Sequence, residues 1–459
     1  MRISAAVSFW CSLIALLLGI TLPAMAQSAG VLTIDQAYEL TRKSSEAIRA
    51  RELALQKSRL GVGEAGSSRL PHVDFQTSVS YLVNPPPGYT VTQGQLTRIP
   101  ILIPSNDTTI GAALHNYFSA AANLTQPIIT WGKIRNAIDL ASLQVDAAGT
   151  DLVAQQRDID RQVHAAYYSA LLARESAKVL ARLRDTAGQV VEDRQKSFEN
   201  GTINRETVME ARANLATIAA KLTEAAQSSA TAQESLGVLT GMEPTAIEVA
   251  ADFPPPPAAP DEEALRAKAR SASVTLASAR TRIELARKKL AIERGGAILL
   301  PDVSLGLSLG VNGQEDIPFS PWNWNNTTWT WDLMISVGLK MSVFDGLSSA
   351  NRIGQAEKDA EMAGVGISQE EKLLRLSVRR AVDALAKAGA DVGDKQARSE
   401  YAEEKLKNAR SGFDNGAVSR EDMRNADILA GSAALDLLLS RYTLEESCAD
   451  LAQLTGERR

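Results

Sequence analysis

Apolar residues along this chain keep one of two periods, and the period changes in a fixed order. From Val73 the residues Val73, Phe75, Thr77, Val79, Tyr81 and Val83 alternate with Asp74, Gln76, Ser78 and Ser80. That two-residue period belongs to a strand with unlike faces. It returns more cleanly where Val303, Leu305, Leu307, Leu309 and Val311 alternate with Ser304, Gly306, Ser308 and Gly310. Returning strands are predicted at about 117–125 and 329–343, the latter with Trp329, Trp331, Leu333, Ile335, Val337, Leu339 and Met341 on one face. Elsewhere the pattern predicts helix. Two long helices, 133–196 and 348–411, contain no proline and would each measure about 95 Å at 1.5 Å per residue. That is too long for a compact globule and suggests a coiled, rod-like assembly. Shorter helices are predicted at 205–236 and 420–451, and before each first strand at 35–63 and 261–294. In each half the short pair matches the long helix in length, so the simplest packing stacks the two short ones beside it.

The order is therefore written twice. "SFENGTINRETV" from Ser197 and "GFDNGAVSREDM" from Gly412 stand 215 positions apart, as do "LGVLTG" from Leu236 and "LAQLTG" from Leu451. "LPHVDF" from Leu70 returns as "LPDVSL" from Leu300, and "PIITWGKIRNA" from Pro127 has a counterpart in "MSVFDGLSSANRI" from Met341. Ordered landmarks at nearly constant offset mean duplication. "FPPPPAAP", 253–260, reads as a stiff linker between a first repeat, 27–252, and a second, 261–459. Each repeated turn lies where a long helix stops and a shorter one starts back. Gly201 and Gly416 supply the left-handed residue that ends a helix, preceded by Asn200 and Asn415. Ser419 with Asp422 forms an S-x-x-D capping box.

Ten-residue alternation with an apolar outer and a small polar inner face is the signature of a transmembrane β-barrel. The expected lipid-facing residues are Val73, Phe75, Val79, Tyr81, Val303, Leu305, Leu307, Leu309, Leu333, Ile335 and Val337, and Trp322, Trp324, Trp329 and Trp331 would form an aromatic girdle near the outer rim. The N-terminus fits an export signal: Arg2, an apolar run from Phe9 to Leu22, and Ala24-Met25-Ala26 as cleavage site, giving a signal peptide over 1–26. Cys11 falls inside that segment without the small residues of a lipoprotein signal, and Cys448 alone would form no internal disulfide. Four strands cannot close a barrel, and open edges in lipid leave unpaired backbone groups. Two copies would supply eight strands and three would supply twelve; the residues themselves do not choose.

Composition removes other classes. The 459 residues are 22% charged with a net charge of −5, too small and mixed a charge for a nucleic-acid partner. "GVGEAG", 61–66, matches a dinucleotide fingerprint letter for letter, yet it ends a helix and precedes a strand, the reverse of what that fingerprint requires, so it is read as an exit turn. His72, His115 and His164 have no Cys or His at ligand spacing, and no compact catalytic motif occurs. Nothing argues for an enzyme, a cofactor or a metal.

The signal segment, the duplicated helix–hairpin–helix halves, "LP-V" before each first strand, "FDG" after the second pair and the aromatic-x-x-Gly tips resemble the TolC-type outer-membrane efflux and secretion channel family over essentially the whole mature chain. The resemblance implies a mainly α protein with membrane β, a homotrimer whose twelve-stranded outer-membrane barrel continues as a long α-helical tunnel in the periplasm of a Gram-negative cell. It also implies a passive exit duct docked through the hairpin tips to a periplasmic adaptor and an inner-membrane transporter, in tripartite efflux or type I secretion. In that family acidic side chains of the second returning helix ring the narrowest point. By the tip register Asp422 falls at the first such position and Asn425 one turn on, with Thr207 at the matching place in the first half. Phe413 and Arg420 are candidates for contacts that hold the tips shut. The competing readings are a stand-alone porin, which has no use for long periplasmic helices, and a periplasmic coiled-coil adaptor or rod, which leaves the apolar strand faces unexplained.

Overall fold

The computed structural model describes residues 31–84, 89–91, 108–110, 115–250, 252–257, 261–296, 300–315 and 328–458. The expected signal peptide, Trp322, Trp324 and part of the proline-rich segment lie outside them. The helices are α1 (Ile34–Ser44), α2 (Glu46–Ser67), α3 (Lys133–Glu199), α4 (Arg205–Thr240), α5 (Glu262–Ala272), α6 (Val274–Gly296), α7 (Ser348–Asp414) and α8 (Arg420–Thr455). The strands are β1 (Val31–Leu32), β2 (His72–Tyr81), β3 (Tyr89–Val91), β4 (Thr108–Ile110), β5 (Asn116–Ile129), β6 (Glu248–Val249), β7 (Asp302–Glu315) and β8 (Thr328–Lys340). The chain divides into two compact units, and α3 and α7 contribute to both.

Each helix expected before a first strand is broken in two. Thr33 starts α1 through a capping box with Gln36, but Ser45 is extended and ends it. In the second half Ser273 restarts the chain: its hydroxyl accepts the Leu276 N–H at 3.2 Å, and Leu276 is fully buried. A short polar residue that caps locally competes with the helix it interrupts. Gly61, Gly63 and Gly66, read above as an exit turn, lie inside the last turns of α2 instead.

The first unit comprises the described parts of 1–46, 156–269 and 377–459. A short parallel pair, Val31 with Glu248 and Leu32 with Val249, is fastened to α3 by Tyr167, whose hydroxyl donates to the Leu32 carbonyl at 3.0 Å and accepts the Ala250 N–H at 3.1 Å. Leu385 and Val392 of α7 bury against Leu437, Leu444, Cys448 and Leu451 of α8. Further along the same pair Ala402 and Leu406 bury against Ala426 and Ala430.

The second unit, residues 47–155 and 270–376, holds a four-stranded antiparallel sheet in the order β2-β5-β7-β8. Its central ladder joins β5 of the first half to β7 of the second, and β2 and β8 are its edges. Cross-strand partners keep the two faces separate. Ser78, Ser119, Asn312 and Thr330 fall in one row, and Asp74, Asn123, Ser308 and Met334 in another, all on one face. The opposite face carries rows such as Phe75, Ala122, Leu309 and Leu333. Glycines on the polar face make room for neighbours: a Cβ on Gly310 would lie 2.6 Å from an Asp332 carboxylate oxygen.

Candidate functional site

Both repeated turns close by the same bonds. After α3, Gly201 takes φ 72°, its N–H donates to the Phe198 carbonyl at 2.9 Å, and the Thr202 N–H reaches Ser197 O at 2.9 Å. After α7, Gly416 takes φ 74°, with Gly416 N–H to Phe413 O at 3.0 Å and Ala417 N–H to Gly412 O at 2.8 Å. Left-handed glycine in this pattern satisfies the last carbonyls of a helix. Asn200 and Asn415 precede the glycines and are exposed. The returning helices are capped by Asn204, which accepts from the Thr207 N–H at 3.0 Å and its hydroxyl at 2.7 Å, and by Ser419, which accepts the Asp422 N–H at 3.1 Å. The Ser419 hydroxyl in turn donates to the Asp422 carboxylate at 2.7 Å.

Asp422 and Asn425 stand three residues apart on α8, both exposed, hence on one face of the helix. Phe413 and Arg420 meet each other within the second tip, the guanidinium 5.8 Å from the ring centroid. The bonds between the two tips come from residues the sequence reading did not single out. Arg194 of α3 donates to Glu421 of α8 at 2.8 Å and to the Thr207 carbonyl at 3.1 Å, and it lies 3.3 Å from Glu210 of α4, so one guanidinium ties three helices. Arg424 of α8 donates to the Gln189 carbonyl at 2.7 Å and pairs closely with Asp193, both on α3. One turn on, buried Asp427 accepts from Thr186 at 2.8 Å and from Arg410 at 3.2 Å. Arg424, Asp427 and Gly431 recur at i, i+3 and i+7 on the side of α8 that meets α3, next to Ala426 and Ala430, which bury against α7. Charges set into a stripe of small residues are the available sequence signal for this seam.

A second charged cluster lies in the same unit, where α3 meets α8. His164 and Glu445 are both almost fully buried, and the His164 ring nitrogens lie 4.0 Å from Glu445 and 3.9 Å from Glu446. Arg161 reaches Glu446 at 2.6 Å and Asp450 at 2.9 Å. Burial alone would raise the Glu446 carboxyl, but neighbouring His164 and Arg161 outweigh it and pull it down to about 2. A depressed carboxyl contributes stability above its ordinary value of 4.5 that is lost as pH falls toward 2, worth on the order of 2–3 kcal/mol. Acid unfolding should therefore lose that much over the window, and the Arg161→Leu protein should lose markedly less; equal slopes in a denaturant series at stepped pH would reject the assignment. Among the described residues no group of His, Cys, Asp and Glu is placed to hold a metal ion, and no helix is long and apolar enough to cross a membrane.

In the second unit the lipid-facing candidates of β2, β7 and β8 all fall on the apolar face of the sheet. Phe75 and Val79 on β2 and Ile335 and Val337 on β8 are more than two-thirds exposed, while Val303 and Tyr81 are more covered. Trp329 and Trp331 share that face, and Trp329 meets Phe118 edge-on at 5.5 Å. One continuous apolar face and one polar face is the strand pattern that transmembrane β-barrels show.

Duplicated helix–hairpin–helix halves around such a sheet define a class, the outer-membrane channels with periplasmic helices. The outer membrane efflux protein family model matches residues 37–242 and 265–457, and the chain belongs to that family. It is similar to the outer membrane protein TolC of Vibrio cholerae, 25% identical over 328 residues, which cover 70% of this chain and 72% of that one. Its fold is similar to the CmeC outer membrane channel of Campylobacter jejuni, with a TM-score of 0.71 at 17% identity, covering 92% of this chain and 85% of the other. It is also similar to VceC of Vibrio cholerae, with a TM-score of 0.67 at 17% identity, covering 92% and 96%. The protein is thus an outer-membrane efflux channel with a periplasmic extension.

Proposed function

We propose that three copies close one twelve-stranded barrel and form the passive exit duct of a tripartite efflux or type I secretion system. The observation that carries the reading is the two-faced sheet whose edge strands, β2 and β8, lie at opposite ends of the ladder. Unpaired edges in lipid cost several kcal/mol per group, so the edges must find partners in other copies. The chain is read as two repeats, 27–252 and 261–459, joined by a proline-rich segment. The hairpin tips at Asn200–Gly201 and Asn415–Gly416 would meet a periplasmic adaptor and an inner-membrane transporter, which supply direction and energy. The protein mass of the detergent-extracted particle, corrected for bound detergent, tests the assembly: three copies support it and a monodisperse monomer overturns it.

Asp422 is assigned to the gate as well as to its helix cap, with Asn425 beside it, and copies around an axis would set a ring of carboxylates. Asp422→Asn keeps the hydrogen-bonding shape and removes the charge. Its channel is expected to lose block by added divalent cations in planar bilayers while its melting temperature stays within a degree or two of the parent, about the shift of a few tenths of a kcal/mol. Cation block that persists would return Asp422 to capping alone.

A further inference from the structure

The duplication holds at the level of single contacts. Arg410 donates to Asp427 at 3.2 Å. The same two places 215 positions earlier are Gln195 and Arg212, and Arg212 donates to Gln195 at 3.2 Å. In the sheet His72 pairs with Thr125 and Asp302 with Lys340, so β7 repeats β2 at 302 − 72 = 230 positions and β8 repeats β5 at 340 − 125 = 215. The breaks at Ser45 and Ser273 set α6 against α2 at 273 − 45 = 228.

Contacts between the halves can therefore be carried over position by position. Inside the chain Leu183 of α3 lies over Gly431 of α8, Thr186 donates to Asp427 at 2.8 Å, Lys288 of α6 meets Asp139 of α3 at 2.9 Å, and Ala122 of β5 pairs with Leu309 of β7. The repeats of these places are Arg398 of α7 with Ala216 of α4, Tyr401 with Arg212, Leu60 of α2 with Gly354 of α7, and Val79 of β2 with Val337 of β8. In one chain they are bare. Tyr401 is 66% exposed, Leu60 75%, Val79 71% and Val337 67%, and the space beside Gly354 is open.

The members of each bare pair nevertheless suit one another. Leucine over glycine becomes arginine over alanine, again a long side chain over a small one. The Lys288–Asp139 ion pair becomes a leucine facing an uncovered glycine. The Thr186–Asp427 bond becomes a phenol ring with an arginine, which can stack on its face. In the sheet the same shift sets Lys340 opposite Gln76 and Gly338 opposite Ser78 on the polar face, while Val337 and Val79 meet on the apolar one. A slip of one residue would set each face against the other. Surfaces that never touch have no reason to change in matched pairs.

We infer that the contacts inside the chain are the template for those between copies. The second half of one copy receives the first half of its neighbour, with Ala216 under Arg398, Arg212 against Tyr401, Leu60 over Gly354 and Val79 opposite Val337. The partner of these exposed faces is a second copy of this chain. The inference rests on the reading of several copies around one barrel and adds which residues face across the joint.

Cysteine pairs in the full chain, with its own cysteines replaced, test the template. Directly opposed strand residues have Cβ atoms about 4.5–5.5 Å apart, close enough for a disulfide to form with a small adjustment. Oxidised in outer membranes, Val79→Cys with Val337→Cys and Ala216→Cys with Arg398→Cys should each give covalent dimers and trimers on denaturing gels. Arg212→Cys with Tyr401→Cys is the second helix pair if the first does not assemble. Phe75→Cys with Val337→Cys, displaced by about 13 Å along the strand, should stay monomeric. A three-copy particle that links through Phe75 and not through Val79 overturns the register. One in which neither helix pair links overturns the helix contacts. Both results leave the barrel standing, whereas a monodisperse single-copy particle overturns the barrel reading itself.

Discussion

An Arg424→Ala channel is expected to leak. Arg424 is 13% exposed and holds both the Gln189 carbonyl and the Asp193 carboxylate of α3. Hydrogen bonds to a charged, half-buried partner contribute about 1.5–3 kcal/mol, so their loss shifts a closed-to-open balance roughly tenfold to a hundredfold at 1.4 kcal/mol per decade. Asp193 is left with its charge and no guanidinium, which favours conformations that let water reach it. Arg424→Lys should restore part of the closure, since an ammonium can serve one acceptor but lacks the planar fork. Open probability in planar bilayers, together with uptake of an antibiotic too large for ordinary porins, measures the effect. A full-length, normally assembled Arg424→Ala protein with the parent's open probability would remove Arg424 from the closure of the tips. Arg194 makes an independent check: it binds α4 and α8 at once, so Arg194→Ala should loosen the first tip and the seam together.

The second large effect comes from a residue with no side chain. Gly431 lies where α8 crosses Leu183 of α3, and a Cβ there would stand 2.4 Å from the Leu183 Cδ2 atom. Gly431→Val should cost about 1–3 kcal/mol by overpacking and should raise open probability, because the same two helices carry the Arg424 pair two turns away. Leu183→Ala placed on top of Gly431→Val should recover much of the lost melting temperature, whereas Leu183→Ala alone should destabilise by opening a cavity. Additive losses in the double variant would mean that the two residues do not share the seam.

The strands were legible because a period of two leaves little freedom once one face is apolar. Val303 to Val311 and Trp329 to Leu339 sit where the alternation puts them, and only the ends moved: β7 extends to Glu315 and β5 to Ile129. The long helices ended within a few residues of the expected places, because the Asn-Gly turn after each is a strong stop. The breaks at Ser45 and Ser273 were not legible. Neither is a proline or a glycine, and each acts through a local bond or an extended backbone that leaves no mark on periodicity. The seam between α3 and α8 was hidden for another reason. Arg194 and Glu421 are 227 positions apart and Asp193 and Arg424 are 231 apart, and a single chain's pattern tells which face a residue occupies, not what stands opposite. Phe413 and Arg420 were singled out through the family resemblance, as contacts that hold the tips shut, and they face each other within the second tip.

The strand order carries one more consequence. Inside the chain, the second strand of the first hairpin, β5, pairs with the first strand of the second, β7. If copies join edge to edge, β8 of one meets β2 of the next, which is again a second strand meeting a first. Every seam of the ring then repeats one kind of junction, and only the covalent link tells the internal seams from the others. A ring of half-length ancestors would need no new contacts to become this one; fusing the halves simply reduces the number of separate chains that must find one another in the envelope.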